Sequence, residues 1–213
     1  MAYGFSFVNI GNSKSIDENY SNFSEVSSGT IASRGALPVL SGNQILLVRP
    51  ATGGGTLRAT RTSTIACSSG NIEYSICNIL GTSSSNSWGL RVFRADGTIA
   101  YDSGYKNLSL ATQLSFTRID NGAVEWSTAV SIPVGKVSRK RYVLAGQLRL
   151  IGWAGEPGSY VPMDFISLRL IFSNGNISSM GFSCDNEYAG PIIVSGTTKF
   201  WASGQINFSV CDI

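Results

Sequence analysis

The sequence predicts an all-β protein made of antiparallel, sandwich-like modules, and three observations predict it. Apolar and polar residues alternate with period two along many short stretches. Turns rich in Gly, Asn and Ser, such as ATGGGT, SSGN, IDNGA and GEPGS, interrupt those stretches at short intervals. No segment carries a sustained helical stripe bounded by caps. With 213 residues the chain is long enough to bury a core without disulfide or metal staples.

The strands follow in chain order. QILLVR at 44–49, STIACS at 63–68, IEYSICNIL at 72–80 and QLSFTRI at 113–119 combine β-branched or aromatic residues with flanking turn chemistry. YVLAGQLRLIGW at 142–153 reads as one long strand. In FISLRLIF, residues Ile166, Leu168, Leu170 and Phe172 form one face, SNGN follows as a turn, and ISSMGFSC returns, which makes a hairpin. In QINFSVC, Ile206, Phe208 and Val210 point one way and Gln205, Asn207 and Ser209 the other, as in a strand with one wet face.

One pattern occurs twice. YGFSFVNIGNSKSIDENYSNF at 3–23 and WGLRVFRADGTIAYDSGYKNL at 88–108 align Tyr3 with Trp88, Gly4 with Gly89, Phe5 with Leu90, Phe7 with Val92 and Val8 with Phe93. Asp17, Tyr20, Asn22 and Phe23 then align with Asp102, Tyr105, Asn107 and Leu108. The pattern describes a hairpin anchored by an aromatic residue, closed by a Gly turn and followed by Asp-x-x-Tyr-x-Asn. Hairpins in Gly- and Asn-rich chains look alike, which is the plainer account, but the matched tail favours a duplicated module. GTSSSNS at 81–87 reads as a short linker between an N-terminal β module, 1–84, and a C-terminal β-sandwich module, 85–213.

Composition excludes more than it nominates. The chain has no histidine, which removes His-based acid–base catalysis, Ser-His and Cys-His pairs, and imidazole metal sites. A net charge of +3 gives no electrostatic case for nucleic acid. The start of the chain has no signal-peptide pattern, and no apolar run reaches the roughly 18 residues of a membrane span. Cys67, Cys77, Cys184 and Cys211 show no CxxC spacing and read as buried free thiols of a reducing cytoplasm. No cofactor is implied.

Candidate chemistry is sparse. Asp17 with Glu18 and Asp185 with Glu187 are the closest carboxylate clusters for a glycosidase pair, yet both sit in turn-like stretches where acids satisfy backbone amides. KVSRKRY, with Lys136, Arg139, Lys140 and Arg141, is the one dense basic run: it either grips phosphates or an acidic neighbour, or is a solvated loop guarding a strand. ATGGGT lacks the Lys-Ser/Thr of a phosphate loop and reads as a flexible loop. Trp153, Tyr160, Tyr188 and Trp201 stand in or beside Gly-rich turns, placed either to stack on sugars or a partner, or to anchor the core at strand ends.

Several of these stretches also carry a likeness. MAYGFSF, IDENYSNF, SSGTI, ILLVRPATGG and WGLRVFRADGTIAYDSG resemble small structural proteins of bacteriophage tails, of the minor tail protein type associated with tail tip and fibre. The resemblance covers residues 3–58 and 88–104. It implies a non-enzymatic virion component of the tail tip, baseplate or fibre attachment, assembled in the host bacterial cytoplasm, docking on other tail proteins and forming a trimer or ring. The rival expectation is a receptor-binding module that recognises host-surface carbohydrate through exposed aromatics, and an enzyme acting on that carbohydrate ranks behind both.

Overall fold

Alternating stretches become strands throughout the described residues. The computed structural model describes residues 6–8, 14–17, 23–60, 63–79, 84–121, 125–129, 139–150, 153–156, 159–161, 166–184 and 200–213. The first half contributes β1 (Ser6–Val8), β2 (Lys14–Asp17), β3 (Phe23–Ala32), β4 (Ile45–Pro50), β5 (Gly55–Ala59), β6 (Ile65–Cys67) and β7 (Asn71–Ile79). The second contributes β8 (Arg91–Phe93), β9 (Ile99–Asp102), β10 (Ser109–Asn121), β11 (Glu125–Ala129) and β12 (Arg141–Leu144). A 3-10 turn at Ala145–Leu148 leads into β13 (Arg149–Leu150), β14 (Trp153–Glu156), β15 (Ser159–Val161), β16 (Ile166–Ser173), β17 (Asn176–Cys184) and β18 (Phe200–Asp212). The protein is all-β and antiparallel, with no α-helix among the described residues.

Eight strands form one sheet in the order β15-β14-β18-β12-β4-β7-β3, with β10 along the other edge of β18. Six form a second, β11-β17-β16-β5-β6, with β13 beside β16. β1–β2 and β8–β9 are two-stranded ribbons. Their registers coincide: Ser6, Phe7 and Val8 oppose Asp17, Ile16 and Lys14, while Arg91, Val92 and Phe93 oppose Asp102, Tyr101 and Ile99, with an irregularity at the same step.

The main apolar cluster draws on both sheets. Leu46, Val48, Ile72, Val143, Phe208 and Val210 come from the larger, and Leu57, Ile65, Leu168, Leu170, Phe172 and Met180 from the smaller. Each fully buried side chain of this kind stabilises the fold by about 1.5–3 kcal/mol. A second cluster, Leu47, Cys77, Tyr142 and Cys211 with Phe23, Ile45, Leu108 and Leu144 packed against it, lies on the opposite face of the larger sheet. Strand β4 is buried on both faces, which is why its sequence is a continuous ILLV run rather than an alternating one. The wet face expected for β18 is likewise corrected at its C-terminal end, where Cys211 is buried.

The second cluster is closed by a contact between β3 and β10, strands that among the described residues are each in a ladder along one edge only. The Leu108 N–H donates to the Phe23 carbonyl at 2.8 Å and the Glu25 N–H to the Lys106 carbonyl at 2.8 Å, so the starts of β3 and β10 meet. Backbone groups that would otherwise face an open edge are thereby satisfied.

Two expectations are corrected. Residues 142–153 are not one strand: Leu148 turns into the core, Gln147 Oε1 accepts the Ser209 N–H at 2.8 Å, and the chain crosses from β12 in the larger sheet to β13 in the smaller. The glycine loop of ATGGGT is not loose either. The Gly175 N–H donates to the Gly53 carbonyl at 2.7 Å, and the Gly53 N–H to the Pro50 carbonyl at 3.0 Å, so the loop is fastened to the turn between β16 and β17. That turn uses positive φ at Asn174 and Gly175, the chemistry that SNGN predicts.

Candidate interaction surfaces

Within the basic run Arg141 is turned inward, whereas the Lys140 side chain stays largely exposed. Arg141 is 3% exposed and its Nε donates to Asp212 Oδ1 at 3.0 Å. Arg139 Nη1 donates to Ser109 Oγ at 2.8 Å, and Lys140 Nζ reaches Glu73 Oε1 at 2.5 Å. The Lys140 backbone is held in both directions to Ile213, at 2.9 and 3.0 Å. The expectation that Arg141 grips a partner is therefore corrected, because a guanidinium buried against its own carboxylate is not available to another chain. Lys136 lies outside the described residues.

Glu73 gathers this end of the molecule. Its carboxylate takes the Tyr142 hydroxyl at 3.0 Å and stands 3.7 Å from Arg49, whose guanidinium lies 5.7 Å from the Tyr142 ring centre. Burial alone pulls the Glu73 pKa up. The Lys140 and Tyr142 hydrogen bonds and the Lys140 and Arg49 charges outweigh it and hold the carboxyl below its ordinary value. Burial, followed by the negative charge of Glu73, pushes the Tyr142 phenol up.

The β8–β9 ribbon stands on a clamp. Asp102 is 2% exposed and accepts the Ser84 N–H at 2.8 Å, the Ser84 hydroxyl at 3.1 Å, the Gly104 N–H at 2.7 Å and Arg91 Nε at 3.0 Å. Arg91 Nη2 continues to the carbonyls of Ser84 and Asn86. Desolvation opposes the Asp102 charge, but these donors win and its pKa is lowered. Asn107 Nδ2 donates to the Asp102 and Tyr105 carbonyls, and its Oδ1 accepts the Ser24 hydroxyl at 2.6 Å. The Asp-x-x-Tyr-x-Asn signature thus has a physical cause: the carboxylate closes the base of the ribbon and the asparagine staples it to β3. Ser84 and Asn86, within the stretch 81–87 expected as a short linker, are strapped to that base.

On this fixed base the ribbon exposes apolar surface. Trp88 is 89% exposed, Phe93 53% and Leu90 40%, whereas Val92 and Ile99 are buried beneath. Elsewhere a cavity of about 500 Å³ is walled by Leu37, Pro38, Leu40, Leu46, Ile65 and Leu144. Its polar lining is already engaged, since the Thr60 and Thr64 hydroxyls bond each other at 2.6 Å and Gln147 holds Ser209.

Of the aromatic candidates, the backbone register sets Trp153 opposite Trp201 and Tyr160 opposite Gly155. Their side chains lie outside the described residues, as do Tyr188, the Asp185–Glu187 cluster and Glu18 with the Asp17 side chain. Among the described residues no group of three His, Cys, Asp or Glu side chains could hold a metal ion, and no helix is long and apolar enough to cross a membrane.

Sequence reasoning missed the Asp102 clamp, although the aspartate of the repeated motif was its signal. It also missed that NIEYSICNI at 71–79 and QINFSVCDI at 205–213 share Ile, Ser, Cys and Ile at identical spacing. No protein-family model, curated protein or solved structure matches the chain.

Proposed function

We propose that the chain is a non-enzymatic structural component of a bacteriophage tail, at the tip, baseplate or fibre attachment, acting by protein–protein assembly. The observation that carries this reading is the β8–β9 ribbon: Trp88, Leu90 and Phe93 are exposed on a base that Asp102 holds rigid, and a pre-organised aromatic surface favours protein docking. The same stretch, residues 88–104, carries much of the likeness to tail proteins. On this reading the halves 1–84 and 85–213 are modules related by the repeated hairpin, and the sandwich is formed by two sheets that each take strands from both halves. The protein is assembled in the bacterial cytoplasm, associates with other tail proteins and with its own copies as a trimer or ring, and requires no cofactor or nucleic acid.

Mass spectrometry and immunogold labelling of purified particles of the phage encoding the chain test this. The expected result is the chain at the tail end in several copies per particle. Intact tails that lack it would refute the assignment. The second reading, a module for host-surface carbohydrate, is favoured by the placement of Trp153 opposite Trp201. Glycan binding by the intact chain that is lost on W153A/W201A would select it.

A further inference from the structure

The two halves pair their strands in the same register. Cys77 and Ile76 of β7 oppose Ile45 and Leu46 of β4, while Cys211 and Val210 of β18 oppose Tyr142 and Val143 of β12. Leu57, Arg58 and Ala59 of β5 oppose Cys67, Ala66 and Ile65 of β6, while Leu168, Arg169 and Leu170 of β16 oppose Phe182, Gly181 and Met180 of β17. The sequences agree, NIEYSICNI with QINFSVCDI and TLRA with SLRL. Where the halves touch, equivalent residues face each other, Leu47 opposite Leu144 and Arg58 opposite Arg169, which is what a local two-fold axis generates. Positions in these strands of one half therefore have counterparts in the other.

That correspondence accounts for the cavity. Four of its lining residues, Ile45, Ala59, Ala145 and Gly146, stand where the other half carries Tyr142, Leu170, Val48 and Arg49. Each counterpart has the larger side chain, and each is buried. Leu46 against Val143 runs the other way, by a single methylene. Arg49 reaches across its own end of the two sheets: its Nη2 would lie 3.2 Å from a Cβ at Gly53 and 3.9 Å from one at Gly175. A Cβ built at Gly146 meets nothing within 4 Å. The backbone adds to the difference. Strand β4 runs on through Arg49, whereas the chain after Leu144 leaves the larger sheet in the 3-10 turn, with Leu148 in the core and Gln147 on Ser209.

The chemistry of the walls defines what fits. They come from both sheets and from the loop that carries Leu37, Pro38 and Leu40, and no lining residue is charged. The polar groups are turned to one another: the Thr60 and Thr64 hydroxyls are 2.6 Å apart, the Thr60 N–H donates to the Thr64 carbonyl at 2.8 Å, and Gln44 Oε1 accepts the Ser41 N–H at 2.9 Å. A charged or sugar-like ligand would give up its water shell and meet few groups still able to replace it. An uncharged apolar molecule instead covers aliphatic wall that otherwise faces water. The volume of about 500 Å³ lies within the roughly 300–1,000 Å³ of small-molecule sites.

We infer that this cavity is a binding site for an uncharged hydrophobic small molecule, open because one half lacks the side-chain bulk that the other half carries at Tyr142, Leu170, Val48 and Arg49. The comparison of the halves rests on the repeated-module reading above, whereas the site itself does not depend on the tail assignment.

The test is fluorescence titration of the intact chain with the neutral probe N-phenyl-1-naphthylamine, from about 1 µM to about 50 µM, where a micromolar Kd is populated. The wild type should bind at a single saturable site, 1-decanol should displace the probe and glucose should not. G146L, which puts a side chain into the open space, and A59L, which restores the bulk of the counterpart Leu170, should each weaken binding by about tenfold or more with an unchanged circular dichroism spectrum. L110S, at an exposed leucine outside the cavity, should bind as the wild type does. A wild type with no saturable binding overturns the inference, and so do G146L and A59L variants that both keep wild-type affinity. If the two variants misfold, methyl NMR of the native chain decides: probe-induced shifts centred on Leu37, Leu40, Ile65 and Leu144 support the site, and shifts confined to other methyl groups overturn it. Binding at this site by a chain that is missing from the virion would sink the tail assignment alone.

Discussion

Arg141 and Asp212, 71 residues apart in the chain, form a buried ion pair across β12 and β18, with Nε and Nη2 reaching the two carboxylate oxygens at 3.0 and 3.4 Å. The pair joins the end of the basic run to the end of the last strand. Removing one partner strands the other charge in the interior, at a cost of about 3–5 kcal/mol, whereas replacing both with apolar residues is far milder. Urea unfolding should therefore show D212A and R141M each strongly destabilised and R141M/D212L much less so. Equal loss in the single and double variants would rule out an interior charge penalty.

Glu73 gives the fold an acid sensitivity of definite sign. Its folded pKa lies below the ordinary 4.5, so its contribution to stability is complete above that value and is lost as pH falls through the lowered folded value. Asp102, lowered from 3.8, acts in the same direction over a lower window. E73Q should flatten the fall of the denaturation midpoint between pH 5 and the acid transition, whereas K140A should shift that fall upward toward the ordinary carboxylate value. A pH profile of E73Q superimposable on wild type would remove Glu73 from this role.

The thiols should be silent in the native state. Cys67, Cys77 and Cys211 are buried and unpaired, and burial pushes the Cys77 and Cys211 thiols up to about 11. Neighbouring charge adds to the shift at Cys211, and a Ser75 hydrogen bond opposes it at Cys77. In a C184S background, a thiol reagent at pH 8 should modify none of the three until denaturant is added, because the thiolate is the attacking form and access requires opening. Fast native labelling of Cys77 would contradict its place in the second apolar cluster.

What the sequence made legible was the part that depends on local pattern. The hairpin from Ile166 to Cys184 was readable because its alternation and its Asn-Gly turn agree, and β4 because ILLV is too apolar for an exposed strand. Residues 142–153 misled because AGQL continues the apolar spacing, whereas its direction is set by Gln147 meeting Ser209, a contact 62 residues away. The basic run misled for a similar reason. Its charge looks outward until β18 supplies Asp212 and β7 supplies Glu73, and no local rule announces either. The ribbon was legible in outline, through the repeated Asp-x-x-Tyr-x-Asn, but the reason for its aspartate appears only when Ser84, Gly104 and Arg91 converge on it.

The contact between Gly53 and Gly175 sets apart two glycines that look alike in sequence. Both Gly53 and Gly42 have positive φ, +75° and +56°, so an alanine at either adopts a backbone conformation that disfavours a side chain, at about 1 kcal/mol. At Gly42 an added Cβ meets open space. At Gly53 it comes within 3.3 Å of the Gly175 nitrogen and 3.2 Å of Arg49 Nη2, next to the hydrogen bond that fastens the loop. G53A should thus be the more destabilising by a further ~1 kcal/mol or more, since a neutral hydrogen bond is worth roughly that much and the loop must shift to relieve the contact. Thermal unfolding of the two variants side by side checks this. Equal midpoints would mean that the loop between β4 and β5 moves freely of the β16–β17 turn, and the glycines of ATGGGT would then serve flexibility and not close approach.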